Sequence, residues 1–374
     1  MSNQDERLMR AALRLARRGI GSVEPNPAVG CIIAKEGRII GKGWHRKFGG
    51  PHAEINALQD CKTQGSNPQG AAMYVTLEPC CHYGKTGPCT EAIIAAGIAK
   101  VVPAMIDPSP HANGAGLQQL RKAGIEVQTG ICETEAKLLN APFMKFASTG
   151  KCWVILKWAQ SIDGKVAYAA NTGQRRWISN EPSRKDAHKL RRRVQAILVG
   201  INTVIADDPL LTARPSRGKK PIRIVLDTSL RIPLGCQLLA TAKKVPVLIV
   251  TSQGAIQADA ELADRITHTG AQLLTVPISE DKCDIESLLE ELSKRGVAQL
   301  LVEGGPTVIA SFLRRGLADE VRVYVAAKIL GGAGRASVAE AMAKLAAGVG
   351  LHYVDVKRFG DDIRMTGLTQ KELR

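Results

Sequence analysis

Short apolar runs alternate with amphipathic stretches along this chain, and that alternation predicts an α/β protein. Asn3 with Glu6 reads as a capping box opening a helix that ends at Gly19. Two strand-like runs follow, Ala28 to Ala34 and Arg38 to Trp44, joined by a tight turn at Glu36-Gly37. A helix opening at Pro51, a strand from Met73 to Leu77, a helix from Pro88 to Ala96 stopped by Gly97, and a strand from Lys100 to Ile106 continue the series. Asp107 to Gly116, with Pro, Asn and Gly throughout, predicts a surface loop. A short helix, the strand Ile125 to Thr129 and a helix from Glu133 come next.

The pattern resets around Ala147-Ser148-Thr149-Gly150, which predicts a domain boundary and divides the chain into 1–147 and 148–374. Beyond it, Trp153 to Trp158 starts a second sheet. Strands at Ala196 to Val199, Ile222 to Leu226, Val245 to Val250 and Leu273 to Val276 alternate with helical segments. A helix from Asp284 to Arg295 leads into the strand Ala298 to Val302, and Glu303-Gly304-Gly305-Pro306-Thr307 opens another helix. Asp319 to Ala326, His352 to Val356 and Ile363 to Leu368 read as closing strands. No internal repeat is visible.

At 374 residues with 45% hydrophobic content, the chain exceeds one typical core, in keeping with two domains. The longest apolar runs, such as Val245 to Val250, are too short to cross a bilayer, so no membrane partner is expected. Arg10, Arg14, Arg17 and Arg18 interrupt the N-terminal apolar positions and leave no secretory core, while Asp5 and Glu6 argue against a mitochondrial presequence. An odd count of nine cysteines fits reduced thiols in the cytoplasm better than a disulfide framework. The net charge of +16 invites a nucleic-acid reading, but 4% aromatics leave few rings for base stacking. Phosphate on a small substrate or cofactor accounts for the basic side chains, and no nucleic-acid partner is expected.

The chemistry concentrates in His52-Ala53-Glu54, Glu78-Pro79-Cys80 and Cys89. One imidazole and two thiolates form a zinc ligand set that keeps a fourth position for water, the mark of a catalytic site. An unligated Glu54 beside it can shuttle protons, the kit that hydrolytic deamination of a nucleobase requires. Cys81 and His82 are rival ligands. Cys80 is preferred because it follows Pro79 at the end of a strand, and Cys89 because it follows Pro88 at a helix start, where the dipole favours a thiolate. Mid-helix, His52 and Glu54 would diverge by roughly 200°; a first turn after Pro51 lets both lean toward one ion. A closed structural site of His52, Cys80, Cys81 and Cys89 is the alternative. In the second half, Gly304-Gly305-Pro306-Thr307 between a strand and a helix is a plausible phosphate cradle, though not a Gly-x-Gly-x-x-Gly fingerprint. Lys189, Arg191, Arg192 and Arg193 read mainly as a solvated helix face.

Taken together, three stretches of the first half resemble the bifunctional bacterial deaminase/reductases of riboflavin biosynthesis. They are Pro25-Asn26-Pro27-Ala28-Val29-Gly30, Gly50 to Glu54, and Glu78-Pro79-Cys80-Cys81-His82-Tyr83-Gly84-Lys85-Thr86-Gly87-Pro88-Cys89. Lys157 to Lys165, Asp207 to Thr212 and Val302 to Thr307 carry the resemblance through the second half. The long spacing from Cys80 to Cys89 is that family's own; Cys81 stands where the family commonly has Ser. The resemblance implies a cytidine-deaminase-like three-layer α/β/α domain followed by a dihydrofolate-reductase-like α/β domain. It implies zinc-dependent removal of the 2-amino group of a phosphoribosylamino-pyrimidine, then reduction of the ribose to a ribityl chain by NADPH. His52, Cys80 and Cys89 would hold Zn2+, Glu54 would be the proton shuttle, and Asn26, His82 and Lys85 would touch substrate. In the reductase half, Ala159, Trp177, Thr203, Asp207 and Gly305, Pro306, Thr307, Val308, Ile309, Ala310 and Ser311 resemble cofactor contacts. Arg175, Arg191, Leu211, Arg214 and Glu303 resemble the substrate site, with Arg191 and Arg214 suited to phosphate. Lys157 and Glu303 are candidates for orienting and protonating the sugar. The family also favours a homodimer or homotetramer through the reductase half.

Three other readings compete. A tRNA or free-base deaminase with an unrelated appendage predicts activity on nucleosides or RNA without NADPH consumption. A binding protein with a structural zinc domain predicts four protein ligands and no turnover. A degenerate fusion predicts one silent half.

Overall fold

The computed structural model describes residues 3–83, 87–110, 112–169, 177–214, 220–343 and 345–373, which fall into two compact units, Met1–Gly150 and Lys151–Glu372. Helix α1 (Asn3–Ala16) opens the first unit, followed by β1 (Gly30–Lys35), β2 (Arg38–Trp44), α2 (Ala53–Thr63), β3 (Ala72–Val75), α3 (Cys89–Ala95) and β4 (Lys100–Pro103). Helix α4 (Ala115–Lys122), β5 (Glu126–Val127) and α5 (Glu133–Thr149) complete it. Asn3 is already inside α1 rather than capping it, and α5 continues to Thr149 before Gly150 turns left-handed at φ 67°.

The sheet order is β2-β1-β3-β4-β5, with β1 antiparallel to both neighbours and β3, β4 and β5 parallel. Glu36 and Gly37 both take positive φ (50° and 78°), the twist a tight hairpin between β1 and β2 needs. Strand alternation then sends the helices to opposite faces. Gly30 meets α1 so closely that a Cβ would stand 2.0 Å from the Ala12 carbonyl oxygen. Its neighbour Cys31 pairs with Gly43, and Ile33 with Gly41, on the other face. There a Cβ on Gly43 would lie 2.1 Å from the Ala53 carbonyl oxygen and one on Gly41 2.6 Å from that of Ala57. The result is an α/β/α sandwich in which α2 packs backbone to backbone on β2.

That contact sets the position of the first turn of α2. Replacing Gly43 by Ala is expected to push α2 off the strand, because the obstructing atoms are backbone atoms. The predicted cost is about 1–3 kcal/mol, read as a lower thermal midpoint for the first unit, together with weaker retention of metal at the start of α2.

The second unit holds a nine-stranded sheet. Its order is Gln272–Thr275, Val247–Thr251, Ile222–Leu226, Ala196–Gly200, Gln299–Val302, Trp153–Ser161, Glu320–Ala326, Asp362–Leu368 and His352–Phe359. The first seven run parallel, Asp362–Leu368 runs antiparallel to them, and His352–Phe359 is antiparallel to Asp362–Leu368. The central strands Ala196–Gly200 and Gln299–Val302 are buried along their whole length and apolar apart from Gln299, as burial on both faces demands. Two small antiparallel pairs escape the sequence reading: Lys165–Tyr168 with Gly334–Ser337, and Ile278–Ser279 with Lys282–Cys283. No helix among the described residues is long and apolar enough to cross a membrane.

Candidate active sites

In the first unit, the sequence-predicted metal ligands converge. His52 is the N-cap of α2, in extended backbone, and Cys89 is the first residue of α3, after Pro88. Cys80 lies in the loop after β3. The His52 Nδ1 atom is 3.4 Å from the Cys80 sulfur and 3.3 Å from the Cys89 sulfur, and all three donor atoms lie within 4.8 Å of one another. Tetrahedral bonds of about 2.3 Å to sulfur and about 2.0 Å to nitrogen put such atoms roughly 3.5 Å apart, so the donor set fits zinc. The Cys89 backbone N–H also donates to the Cys80 sulfur at 3.4 Å. Hydrogen bonds from Cys89 and His52 draw the Cys80 thiol down to about 4, while Cys89, bound to Cys80 and buried, is pushed up. Two thiols competing for protons beside an imidazole are ready to exchange them for a cation. Cys81 is not among the converging groups, and burial raises its thiol.

Glu54 is the second residue of α2 and only 3% exposed. Burial raises its carboxyl to about 7 against the pull of His52, close to the working pH that suits a general acid–base. Several groups that the sequence reading passed over support this turn. His45, buried, bonds the Pro51 carbonyl oxygen through Nδ1 at 3.1 Å, and its Nε2 lies 3.5 Å from the Asn26 amide nitrogen. Asn56 donates to the carbonyls of Trp44 and Pro51 at 2.9 and 3.1 Å. Asn140, from α5, pairs with both backbone groups of Ala28 at 2.9 and 3.1 Å and so fixes the chain two residues after Asn26. His82 is exposed, and Lys85 lies outside the described residues.

In the second unit, Val302 pairs with both Leu156 and Leu198, so the residues that follow, Glu303, Lys157 and Val199, meet at adjacent strand positions. Open parallel sheets bind ligands at such strand ends. Glu303 accepts two bonds from Arg191, 3.0 Å from Nε and 2.6 Å from Nη2, and Lys157 Nζ lies 4.0 Å away. Arg191 also donates to the Thr212 carbonyl at 3.1 Å. Burial would raise the Glu303 carboxyl, but Arg191 and Lys157 more than offset it and hold it at about 2. Burial lowers Lys157, whose ammonium also stands 5.7 Å from the Tyr324 ring centre. The Tyr324 hydroxyl donates to Asp186 at 2.8 Å.

The remaining predicted positions divide by exposure. Val308 packs against Gly200 and Gly304, where a Cβ would meet its side chain at 2.9 and 2.6 Å. These glycines seat the start of the helix Pro306–Arg314 against the strand ends, and Thr203 faces Gly305. Ile309, Ala310 and Ser311 are buried in that helix, so Gly305 to Val308 form its outward part. Ala159 is half-buried, Asp207 is exposed at the end of the helix Ile201–Asp207, and Trp177 is exposed under the Arg184 guanidinium. Leu211 is buried with φ 50°, and Arg214 is exposed. The carbonyl before Leu211 is held by Arg223 at 3.3 Å, a fully buried guanidinium whose other bonds reach the carbonyls of Leu238, Thr241 and Val245. Arg175 lies outside the described residues. His188, one turn before Arg191, was not foreseen; the charges of Arg191, Glu303 and Arg214 all act on it.

A His/Cys/Cys donor set beside a buried carboxylate, on an α/β/α unit joined to a second α/β unit with a mostly parallel sheet, defines a zinc-dependent deaminase fused to a further enzyme domain. Residues 2–105 match the family model of the cytidine and deoxycytidylate deaminase zinc-binding region, and residues 152–365 match that of the RibD C-terminal domain. The riboflavin biosynthesis protein RibD of Aquifex aeolicus is 44% identical over 329 residues, which cover 87% of this chain and 88% of that protein. That of Escherichia coli is 38% identical over 376 residues, covering 96% and 98%. The solved structure of Acinetobacter baumannii RibD has a TM-score of 0.81 at 39% identity, over 98% of this chain and 99% of that one. A diaminohydroxyphosphoribosylaminopyrimidine deaminase/5-amino-6-(5-phosphoribosylamino)uracil reductase from Thermotoga maritima has a TM-score of 0.83 at 34% identity, over 97% and 98%. The chain belongs to the RibD family. It is a bifunctional enzyme of riboflavin biosynthesis, with a zinc-dependent deaminase domain and an NADPH-dependent reductase domain.

Proposed function

We propose that the first unit deaminates 2,5-diamino-6-(5-phosphoribosylamino)pyrimidin-4(3H)-one to 5-amino-6-(5-phosphoribosylamino)uracil, and that the second reduces the ribosyl group of that product to ribityl. The observation that carries the reading is the convergence of His52, Cys80 and Cys89 around one position with Glu54 buried beside it. Zinc bound there supplies a Lewis acid and, at neutral pH, a hydroxide nucleophile. Glu54 then moves protons: it takes one from the attacking oxygen and gives one to the departing amine, so that ammonia leaves. Asn26, held by its neighbours, His82 and Lys85 are assigned to the pyrimidine and its phosphate.

In the second unit, NADPH supplies the hydride, and the matching proton must come from the protein. Glu303, held ionised by two cations, is a poor donor. Lys157, with its ammonium disfavoured by burial, is the better one, and Glu303 orients it. Arg191 is engaged by Glu303 and Thr212, so exposed Arg214 is assigned to the substrate phosphate and Arg191 to shaping the pocket. Arg175 and Leu211 complete the proposed substrate site. Gly305 to Val308, with Ala159, Trp177, Thr203 and Asp207, face the cofactor; Ile309, Ala310 and Ser311 back that helix. Incubation with the pyrimidine, following ammonia and NADPH absorbance separately, tests both halves. Release of ammonia without loss of absorbance refutes the reductase assignment, and neither signal refutes the whole.

We assign the enzyme to the cytoplasm, with no nucleic-acid partner, a reading supported by nine cysteines outside any disulfide and by a phosphorylated small-molecule substrate. We assign its assembly to the antiparallel edge of the second unit. Val356, opposite Met365, and Ile363, opposite Arg358, share one face and are 57%, 41% and 45% exposed for Val356, Met365 and Ile363. A second copy covering this edge strand buries that apolar surface and its unpaired backbone. Val356→Glu combined with Ile363→Glu is expected to shift the protein to monomer in light scattering; an unchanged mass rules out this face.

A further inference from the structure

Glu78 is almost wholly buried, at 4% exposure, two residues before Cys80. Three backbone N–H groups converge on its two oxygens. Asp107 and Gly114 donate to Oε2 at 3.1 and 2.9 Å, and Gly116 donates to Oε1 at 2.9 Å. Asp107 and Gly114 belong to the loop that leads into α4, and Gly116 is that helix's second residue. The first turn of α4 closes directly on the ligand peptide: a Cβ on Gly116 would lie 2.2 Å from the Pro79 carbonyl oxygen. Gly114 enters α4 at φ 89°, a conformation suited to glycine. One turn along α4, Gln119 accepts the Thr90 hydroxyl at 2.8 Å, and the Thr90 N–H donates to the Cys80 carbonyl at 3.2 Å. Thr90 directly follows Cys89. The peptides carrying both sulfur ligands are therefore tied to residues 107–119, wholly beyond the region 2–105 that matches the general zinc-binding family.

We propose that Glu78 is the positioning residue of the zinc site, fixing Cys80 through the 107–116 loop, with Gln119 doing the same for the Cys80–Cys89 pair through Thr90. The chemistry favours a carboxylate specifically. Glutamine has one acceptor oxygen, and its amide would point a donor at a backbone donor. Outer partners of metal ligands commonly govern affinity by about 10–100-fold. A merely structural Glu78 would affect folding stability but leave the metal's coordination as it was.

This inference rests on the deaminase reading, and the test separates the two. Full-length wild type, Glu78→Gln and Gln119→Leu are loaded with zinc or, for spectroscopy, cobalt(II). For Glu78→Gln the expected results are zinc release to a chelator faster by about 10–100-fold and an altered cobalt–thiolate absorption band. Deamination kcat falls at saturating zinc while KM stays within about two-fold, the pattern of a misplaced reacting group. Gln119→Leu should shift the same band less. Wild-type release rates and spectrum in a folded Glu78→Gln protein overturn the proposal. If Glu78→Gln does not fold by circular dichroism, Gln119→Leu decides: an altered band supports the proposal and an unaltered one overturns it. A wild type that binds no zinc or releases no ammonia sinks the deaminase reading itself.

Discussion

Glu54→Gln is expected to abolish ammonia release, by about 10³-fold or more, while zinc stays bound and the supplied aminouracil is still reduced. Three facts set that expectation. Glu54 is not one of the three converging donors, so the metal keeps its ligands. Its carboxyl is buried and raised to about 7, where it exchanges protons readily, and an amide of the same shape cannot. The two reactions belong to separate compact units, so NADPH oxidation controls for the integrity of the chain. Metal content by emission spectroscopy and ammonia by a coupled assay decide the matter. A variant that loses zinc would make Glu54 a ligand, and one that deaminates normally would remove it from the mechanism.

Glu303→Gln should cost both stability and reduction. It leaves Arg191 and Lys157 buried around a neutral amide, for which breaking a buried pair costs about 3–5 kcal/mol. Reductase kcat is expected to fall by about 10²-fold, because Lys157 loses the anion that orients it. Removing a neighbouring negative charge lowers the Lys157 pKa further, so the alkaline limb of the reductase profile moves to lower pH. The wild type gives the complementary sign. The Glu303 pKa is depressed, so its stabilising contribution is fully present above about 4.3, the unfolded value, and is lost as pH falls toward about 2. That contribution is on the order of 3 kcal/mol at most, since burial of Lys157 works against it. Denaturant titrations of wild type and variant between these limits should converge at the acid end. Parallel curves throughout would show that Glu303 is not the titrating group.

What the sequence made legible was local chemistry at element starts. His52 and Cys89 announce themselves because each sits at a helix N-terminus beside a proline, and Glu54 because it is two residues from His52. The strands of both sheets were legible from apolar runs, with ends displaced by up to three residues. Long-range partnerships were not. Asn140 reaches Ala28 across 112 positions, and Arg191 reaches Glu303 across the same separation, through sheet register that no local pattern encodes. Glu78 was visible in its motif but mute about its role, since its partners lie in a loop whose composition suggested only surface. The edge strand His352–Phe359 runs past the expected Val356 because Lys357 and Arg358 interrupt the apolar pattern without interrupting the ladder. Lys165–Tyr168 and Gly334–Ser337 were missed because each short run forms a strand only with the other.

The stretch from Asp107 to Gly116 has consequences for anyone who handles the gene. Its glycines and prolines advertise a spot for epitope tags, protease sites or new chain termini. With its amides clasped by Glu78 and Gly116 pressed on Pro79, a single added residue there would be transmitted to the sulfur of Cys80. Fusion and permutation designs should open the chain elsewhere.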